Sequence, residues 1–407
     1  MNVVAAKPGG IRGGGRTADG GARPPLRLLY LNQHAQLGSG SSNQLLLLVG
    51  ELVRRGHAVT VAAPRPPARV PPELDLARFE EAGARLERLP ILAKRPRLET
   101  LRAVRALVRE GRYDALHAIR GRALDHLYLA TIGLRRCPPL LHTHGMQYPL
   151  DMFNSIKFRS RRVKRIIAVS AFVKDMMVRT GRIDPRKIEV VHQSANLERF
   201  DPERVSGAGV REEFGIPDAA PLVGIVANLG AYKRYDLFVA MAAEVLGQVP
   251  GAYFLSLGAG DPRPYLEQAR ALGVPDGRII FAGFRADVPR ILAAVDMTVT
   301  TSWNEAMGSC WLESLAMEKP VVSFDGGGAP EVVRHGETGY LAPFPDTRAF
   351  AGRVAELLRD PDRARAMGRA GRQDVLRRFS LAGKADAYER IYYELRPCGS
   401  TAESSAI

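Results

Sequence analysis

The sequence has little cysteine, and its cysteines lie far apart. Three occur in 407 residues, at Cys137, Cys310 and Cys398. So few and so scattered thiols exclude a disulfide framework and a cysteine-rich zinc site. We therefore expect the protein to work in a reducing compartment, the cytoplasm.

Long apolar runs are also lacking. The longest candidate, Leu45–Val49, falls far short of the ~18 residues needed to span a bilayer and sits within a helical pattern. The first 25 residues are rich in Gly, Arg and Ala without a continuous apolar core, which argues against a secretory signal. We predict that residues 1–25 and 397–407 are disordered tails.

Acidic residues are outnumbered by basic ones. The chain has 43 Asp and Glu and 58 Lys and Arg, so its net charge is +15. Nine of the 58 basic residues are Lys. Such a field attracts nucleic acid, anionic lipid or a phosphorylated substrate, and charge alone does not choose among them. Nucleic-acid binding is the distant alternative, because the basic runs lack interleaved aromatic residues and contain no recognition module. We predict no nucleic-acid partner.

Short apolar segments alternate with helical patterns in two series along the chain, which predicts parallel sheets covered by helices on both faces. The pattern pauses between residues 196 and 220. We predict two doubly wound α/β domains, residues 26–196 and 221–378, joined by a linker at 197–220, with a last helix at 379–396 packed back on the first domain. A ligand crevice is expected between the carboxyl edges of the two sheets. The predicted strands are Leu26–Leu31, Ala58–Ala63, Asp114–Ala118, Leu140–His144, Arg165–Val169 and Ile188–His192, then Leu222–Val226, Tyr253–Leu257, Arg278–Gly283, Met297–Thr300 and Pro320–Phe324.

The segment 302–313, SWNEAMGSCWLE, is the most informative. It follows the predicted strand Met297–Thr300 and enters a helix predicted over Ser309–Met317. Glu305 would lie in the loop and Glu313 about one and a half turns into the helix, about 12 Å away at a rise of ~1.5 Å per residue. That is close to the separation between a hexose ring and the ribose of a sugar nucleotide. Gly308 falls at the helix start, where backbone N–H groups and the helix dipole favour a diphosphate.

Glu305 and Glu313 resemble the E-x7-E signature of the group 1, or family 4, retaining glycosyltransferases. Further blocks follow in the family's order, so that the resemblance covers about Leu26 to Leu395. It implies the GT-B fold, two Rossmann-like domains facing each other across a cleft. It also implies a metal-independent hexosyltransferase with no cofactor, whose UDP- or GDP-sugar is a substrate. The further blocks are Ser39–Asn43 with Arg54–Val61, Ile166–Ser170, Gly258–Gly260, Phe281–Phe284 and Gly336–Leu341.

The resemblance also implies roles for single residues. Glu313 is expected to accept both ribose hydroxyls, and Lys233 to neutralise the diphosphate as the leaving group gains charge. Glu305 would orient the donor sugar and His144 would contact it near the reacting carbon, so these two are the predicted catalytic residues. The other predicted donor-binding residues are Gly40, Asn228, Arg234, Phe284, Met307, Gly308 and Ser309.

Several positions leave alternatives open. Asn228 stands where the family usually has an arginine, and Arg234 is a candidate to supply the missing charge. Phe284 fits a platform for the nucleobase and plain core equally well. His144 competes with a buried structural role, as does His117. The sequence Asp360-Pro361-Asp362 mimics a metal-binding D-x-D motif but lies between two predicted helices, so we expect Asp360–Asp362 to cap one of them and predict no metal.

Basic residues cluster in the predicted first domain. Arg102, Arg105, Arg109 and Arg112 recur at helical spacing, and six charges lie between Lys157 and Arg165. We hypothesise that they attract an anionic inner leaflet or a lipid-diphosphate acceptor, and the alternative is a solvated face of an Arg-rich protein. The predicted function is transfer to a glycan or lipid-linked acceptor in cell-envelope polysaccharide or glycolipid synthesis, with peripheral attachment to the inner membrane face. A nucleotide-sugar epimerase of the same fold is the alternative.

Overall fold

The computed structural model describes residues 23–66 and 70–396. The predicted tail at 397–407, and the predicted tail at 1–25 except for its last three residues, lie outside the described residues. Within the described ranges, two parallel sheets are flanked by helices. The predicted fold class is therefore confirmed.

The first sheet contains seven strands: β1 (Arg27–Asn32), β2 (Ala58–Pro64), β3 (Arg85–Leu89), β4 (Ala115–Ile119), β5 (Leu140–His144), β6 (Val163–Ala168) and β7 (Ile188–Val190). Their order is β3-β2-β1-β4-β5-β6-β7, which turns back at β1 as in doubly wound sheets. The connecting helices are α1 (Gly40–Arg54), α2 (Arg78–Glu81), α3 (Leu98–Glu110), α4 (Gly121–Ala130), α5 (Met152–Arg159) and α6 (Ala171–Gly181).

The second sheet contains six strands: β8 (Leu222–Val226), β9 (Tyr253–Leu257), β10 (Ile279–Phe281), β11 (Met297–Thr300), β12 (Val321–Phe324) and β13 (Gly339–Ala342). Their order is β10-β9-β8-β11-β12-β13, so β8 and β11 are parallel neighbours. Aromatic and aliphatic side chains such as Phe238, Phe254 and Phe350 fill the core around it. The helices are α7 (Val210–Glu213), α8 (Tyr235–Gln248), α9 (Arg263–Ala271), α10 (Val288–Ala294), α11 (Ser309–Ala316), α12 (Ala329–Val332), α13 (Thr347–Arg359), α14 (Pro361–Arg378) and α15 (Leu381–Leu395).

The apolar pattern located most strands but missed two. The predicted bounds of β5, β8, β9 and β11 are those of the structure. Strand β3, with the sequence RLERL, was not predicted because charged side chains interrupt its apolar pattern, and only Leu89 of it is buried. Strand β13, with the sequence GYLA, was not predicted either, because it begins with glycine, which is depleted in strands.

The described residues form two compact units, and the boundaries of these units do not coincide with those of the two sheets. One compact unit contains the described residues up to His142 and those from Ala385 onward, and the other is Thr143–Lys384. Within the first unit, the Tyr392 hydroxyl of α15 hydrogen-bonds to Tyr30 of β1 and to His117 of β4. The predicted domain boundaries at 196 and 221 stay predictions.

Every helix in the described ranges is too short or too polar to cross a bilayer.

Candidate active site

Lys233 and Glu305 form an ion pair where two neighbouring strands end. Lys233 closes a short 3-10 turn after β8, and Glu305 lies in the loop after β11. Because β8 and β11 are parallel neighbours, their carboxyl ends meet, and the Lys233 Nζ donates to Glu305 Oε2 at 2.5 Å. The two side chains are only 12% and 15% exposed. The structure thus brings together two residues that lie 72 positions apart.

The Coulombic balance at this pair favours the charged lysine. Burial is the largest single effect and would by itself lower the pKa of Lys233, but the attraction and hydrogen bond to Glu305 together with the effects of Cys310 and Tyr232 outweigh it and raise the pKa above its ordinary value. The two loops are also joined by the Thr301 hydroxyl, which donates to the Lys233 carbonyl at 2.9 Å. Lys233 is therefore a fixed positive charge in a largely dry site.

Glu313 lies about one and a half turns into α11, as predicted. Burial raises the pKa of its carboxyl to about 7, against the opposing effects of Arg199 and of a hydrogen bond with Ser309. The helix begins after Gly308, which has no side chain to cap it, and its first turn contains no acidic residue. Its first N–H groups are therefore available to an anion.

Three glycines that we did not single out shape the loop of Glu305. Gly326, Gly327 and Gly328 follow β12, and the Gly328 N–H donates to the Glu305 carbonyl at 2.8 Å. A Cβ on Gly327, whose φ is +59°, would lie 2.2 Å from that carbonyl oxygen. Consecutive glycines at the carboxyl end of a strand were the signal that could have identified this close approach.

Asn228 and Arg234 are both engaged within the protein. The Asn228 Oδ1 accepts the Ala259 N–H at 2.9 Å, so the amide joins the loops after β8 and β9. The Arg234 guanidinium binds Asp236 through two N–H groups, at 2.8 and 2.6 Å. The positive charge of Arg234 is therefore compensated by Asp236, two positions along the chain, whereas that of Lys233 is compensated by Glu305 in another loop.

The remaining predicted residues lie at several places. Phe284, in the loop after β10, is 53% exposed, which excludes the core interpretation. Met307 is buried, and its Sδ accepts the Gln193 N–H at 3.2 Å. Gly40 is the first residue of α1, in the other contact unit. His144, at the end of β5, packs edge-on against Phe158 with a centroid distance of 5.5 Å.

Two other histidines are structural. The His142 ring N–H at Nδ1 donates to the Ala118 carbonyl at 3.1 Å. His117 stacks on Tyr30, and burial lowers the pKa of its imidazole to about 3. Both are therefore explained by packing within the first contact unit.

Helix α6 begins with a set of contacts that the sequence did not reveal. Its cap residue Ser170 donates through Oγ to the Ala306 carbonyl at 2.6 Å. Glu331 accepts the N–H groups of Ala171 and Phe172, at 2.8 and 2.9 Å, and contacts His192 Nε2 at 2.8 Å. These contacts fix the loop of Glu305 against the start of α6.

The segment Asp360–Asp362 has a structural role and is not a metal site. Asp360 caps α14, as predicted, by accepting the Arg363 N–H at 3.0 Å. Among the described residues, no group of three or more His, Cys, Asp or Glu is arranged to hold a metal ion.

The arrangement of the two sheets matches that of solved structures. The crystal structure of Alr3699/HepE from Anabaena in complex with UDP and glucose superposes with a TM-score of 0.77, over 91% of this chain and 100% of that chain, at 20% identity. At this identity the likeness establishes the fold, which is that of the GT-B glycosyltransferases.

Sequence comparison establishes the family. Glycosyltransferase Family 4 matches residues 38–199, and Glycosyl transferases group 1 matches residues 220–360. The GDP-mannose-dependent alpha-(1-6)-phosphatidylinositol monomannoside mannosyltransferase of Mycobacterium tuberculosis (strain CDC 1551 / Oshkosh) is 30% identical over 370 residues, which are 86% of this chain and 93% of that relative. The chain belongs to the group 1, family 4 glycosyltransferases.

A shorter alignment relates the chain to a second type of transferase. The N-acetyl-alpha-D-glucosaminyl L-malate synthase of Bacillus anthracis is 30% identical over 186 residues, 46% of this chain. That alignment spans 49% of the relative, about half its length. The relatives therefore differ in the donors and acceptors that their names state.

Proposed function

We propose that this chain transfers a hexosyl group, with retention of anomeric configuration, from a UDP- or GDP-sugar to a glycan or lipid-linked acceptor. The observation that carries the proposal is the Lys233–Glu305 ion pair, at 2.5 Å. Glu305 lies in the loop that runs into the uncapped N-terminus of α11, with Glu313 in that helix, and Lys233 reaches this loop from the end of β8. The two carboxylates and the free N–H groups lie within nine residues of loop and helix, and together with the Lys233 cation they match the parts of a sugar nucleotide.

Binding of the diphosphate would exchange one anion for another at Lys233. The ammonium, now held by the Glu305 carboxylate, would turn to the diphosphate, which the N–H groups of Ser309 and Cys310 also receive. Release of Glu305 would free its carboxylate to accept hydroxyls of the donor sugar. The ion pair thus keeps both groups positioned before the donor arrives, which lowers the cost of organising them.

The chemical step places negative charge on the leaving diphosphate. A fixed cation and backbone dipoles in a site with little water stabilise that charge as it develops. We assign Glu313 to the ribose hydroxyls, Phe284 to the face of the nucleobase and His144 to the donor sugar. An acceptor hydroxyl that attacks the anomeric carbon of the donor sugar from the face that the diphosphate leaves would retain the anomeric configuration. We assign no cofactor or metal to this step.

The names of the relatives and the solved structures mention candidate donor bases and one acceptor. One relative is named for GDP-mannose and a phosphatidylinositol monomannoside, and one solved structure holds UDP and glucose. Both bases therefore stay candidates. We place the chain in cell-envelope polysaccharide or glycolipid synthesis, at the cytoplasmic side of the membrane.

The test is a screen of UDP- and GDP-sugars with the purified chain. We expect one donor to raise the melting temperature and to release its nucleotide slowly in water and faster with a lipid-extract acceptor. The product anomer, read from its NMR coupling constant, should match that of the donor. Conversion of the donor to an epimer, or stabilisation by a DNA duplex and by no nucleotide, would contradict the proposal.

A further inference from the structure

Helix α5 is a firmly anchored surface helix. Its cap residue Asp151 accepts the Asn154 N–H at 2.7 Å, and the Leu150 N–H before it donates to the Thr180 hydroxyl at 3.0 Å. At its other end the Lys187 ammonium donates to the carbonyls of Phe158 and Ser160, at 2.9 and 2.8 Å. These contacts therefore fix which side chains α5 exposes.

The outer side of α5 is apolar. Met152, Phe153 and Ile156 are 73%, 84% and 54% exposed, and Phe153 has the largest exposed fraction among the exposed large apolar side chains of the described residues. Met152 and Ile156 lie four positions apart and so on one side of the helix, while Ser155 and Phe158 face the core. A folded chain rarely displays three adjacent large apolar side chains without a partner for them.

Basic residues follow directly after this apolar side. Between Asp151 and Lys164 the chain has five bases and one acid, and Arg159, Arg161 and Lys164 are exposed. An apolar helix face flanked by bases is the pattern of a helix that lies in the interface of an anionic bilayer. In the arginine cluster of α3, Arg102 and Arg109 are exposed, but Arg105 is engaged within the protein, where it donates to the carbonyls of Ala130 and Ile132, at 2.8 and 2.6 Å.

We propose that α5 and the basic segment Arg159–Lys164 form a membrane-docking surface for anionic phospholipid. Met152, Phe153 and Ile156 enter the headgroup region, and the bases bind lipid phosphates around them. The inference deepens the proposed function, because an enzyme that glycosylates lipid-linked acceptors must reach them at a bilayer. Vesicle binding itself does not depend on donor or acceptor.

A second copy of the chain is the other occupant to consider. In a two-fold symmetric dimer the same patch meets itself, so the five bases of one copy would face those of the other. Like charges at close range repel, whereas an anionic bilayer compensates them. The charge of the patch therefore favours lipid.

The test is co-sedimentation of the full chain with vesicles of phosphatidylcholine alone or with about a third phosphatidylglycerol. We expect binding to the anionic vesicles that weakens with salt. The double variant Met152→Ser with Phe153→Ser should lower the vesicle partition coefficient at least tenfold, as should the triple variant Arg159→Gln, Arg161→Gln and Lys164→Gln. Their controls are the exposed pair Leu272→Ser with Leu376→Ser and the exposed triple Arg270→Gln, Arg348→Gln and Arg369→Gln, which should bind like the wild type.

Three results would overturn the docking surface. They are wild-type failure to bind anionic vesicles, equal losses in the α5 variants and their controls, and a dimer in analytical ultracentrifugation that Met152→Ser with Phe153→Ser dissociates. Nucleotide release from the donor, measured without vesicles, should be unchanged in the α5 variants. Failure of docking is thus separate from failure of the proposed transferase activity.

Discussion

Helices α6 and α11 each follow a parallel strand, β6 and β11, but their N-termini differ. At α6, the Ser170 hydroxyl accepts the Val173 N–H at 3.2 Å, and the Glu331 carboxylate accepts the two N–H groups before it. At α11, Gly308 offers no side chain, and its first turn has no acid. The N-terminus of α6 is capped by side chains of the protein, and that of α11 has no side-chain cap.

The acidic residues at the two helices, Glu331 and Glu313, have pKa values that are shifted in opposite directions. Burial opposes ionisation of Glu331, but hydrogen bonds from His192 and from the two backbone N–H groups outweigh burial and lower its pKa. For Glu313, burial dominates and raises the pKa to about 7. Glu331 therefore stabilises the fold as an anion, whereas burial makes ionised Glu313 unfavourable. The contrast separates a carboxylate whose charge the fold stabilises from one whose charge it destabilises.

The largest expected effect is at the cation beside α11. Lys233→Ala should lower kcat/KM about 10²–10³-fold, because one fixed positive charge at the leaving diphosphate is lost. Steady-state kinetics with the donor found by the screen measures it. The control is Arg263→Ala, which removes an 81% exposed arginine of the same sheet's helices and should change kcat/KM less than twofold. Equal losses in the two variants would remove Lys233 from the site.

A capping side chain at α11 should turn its N-terminus into one like that of α6. Gly308→Asp would compensate the free N–H groups and repel a diphosphate, so we expect the Kd for UDP or GDP to rise at least tenfold. Calorimetric titration measures it. Gly308→Ala is the control, since any added Cβ lies 3.1 Å from the Trp311 ring. If both variants bound nucleotide equally well, the diphosphate would not lie at this helix start.

Glu313→Gln should stabilise the free protein in a pH-dependent way. Since burial raises the pKa of Glu313 from its ordinary value of 4.5 to about 7, ionisation destabilises the fold increasingly as pH rises between these values. The variant should match the wild type near pH 4.5 and exceed its unfolding free energy by on the order of 3 kcal/mol at pH 8. Urea unfolding at both pH values measures it. A constant difference would show that ionisation is not the cause.

The smallest effect is expected at α6. Glu331→Gln should lower the unfolding free energy by about 1–2 kcal/mol, because two backbone N–H groups lose a charged acceptor. With a lowered pKa, Glu331 stabilises the fold above pH about 4.5. The difference should therefore vanish as pH falls through that lowered pKa. Glu337→Gln, at a side chain 61% exposed, is the control and should change stability by less than about 0.5 kcal/mol.

Much of the fold and part of the candidate site could be predicted from local sequence patterns. Buried parallel strands such as β8 and β9 are continuous apolar runs, so their bounds could be predicted. The edge strand β3 could not, because it is half polar and takes its conformation from pairing with β2. Glu305 and Glu313 could be identified because the strand, loop and helix that hold them are consecutive. Glu331 could not, since its partners Ala171 and Phe172 lie 160 and 159 positions away.

By itself, the sequence determined the alternation of strands and helices and the family, and it predicted Lys233, Glu305 and Glu313 as candidate site residues, because these features can be recognised from short segments of the chain. The tertiary structure alone decided that Lys233 binds Glu305, that Arg234 is neutralised by Asp236, and that α6 is capped while α11 is open. Which charges are compensated depends on side-chain geometry across adjacent strands. Periodicity along one strand or helix carries no information about that geometry.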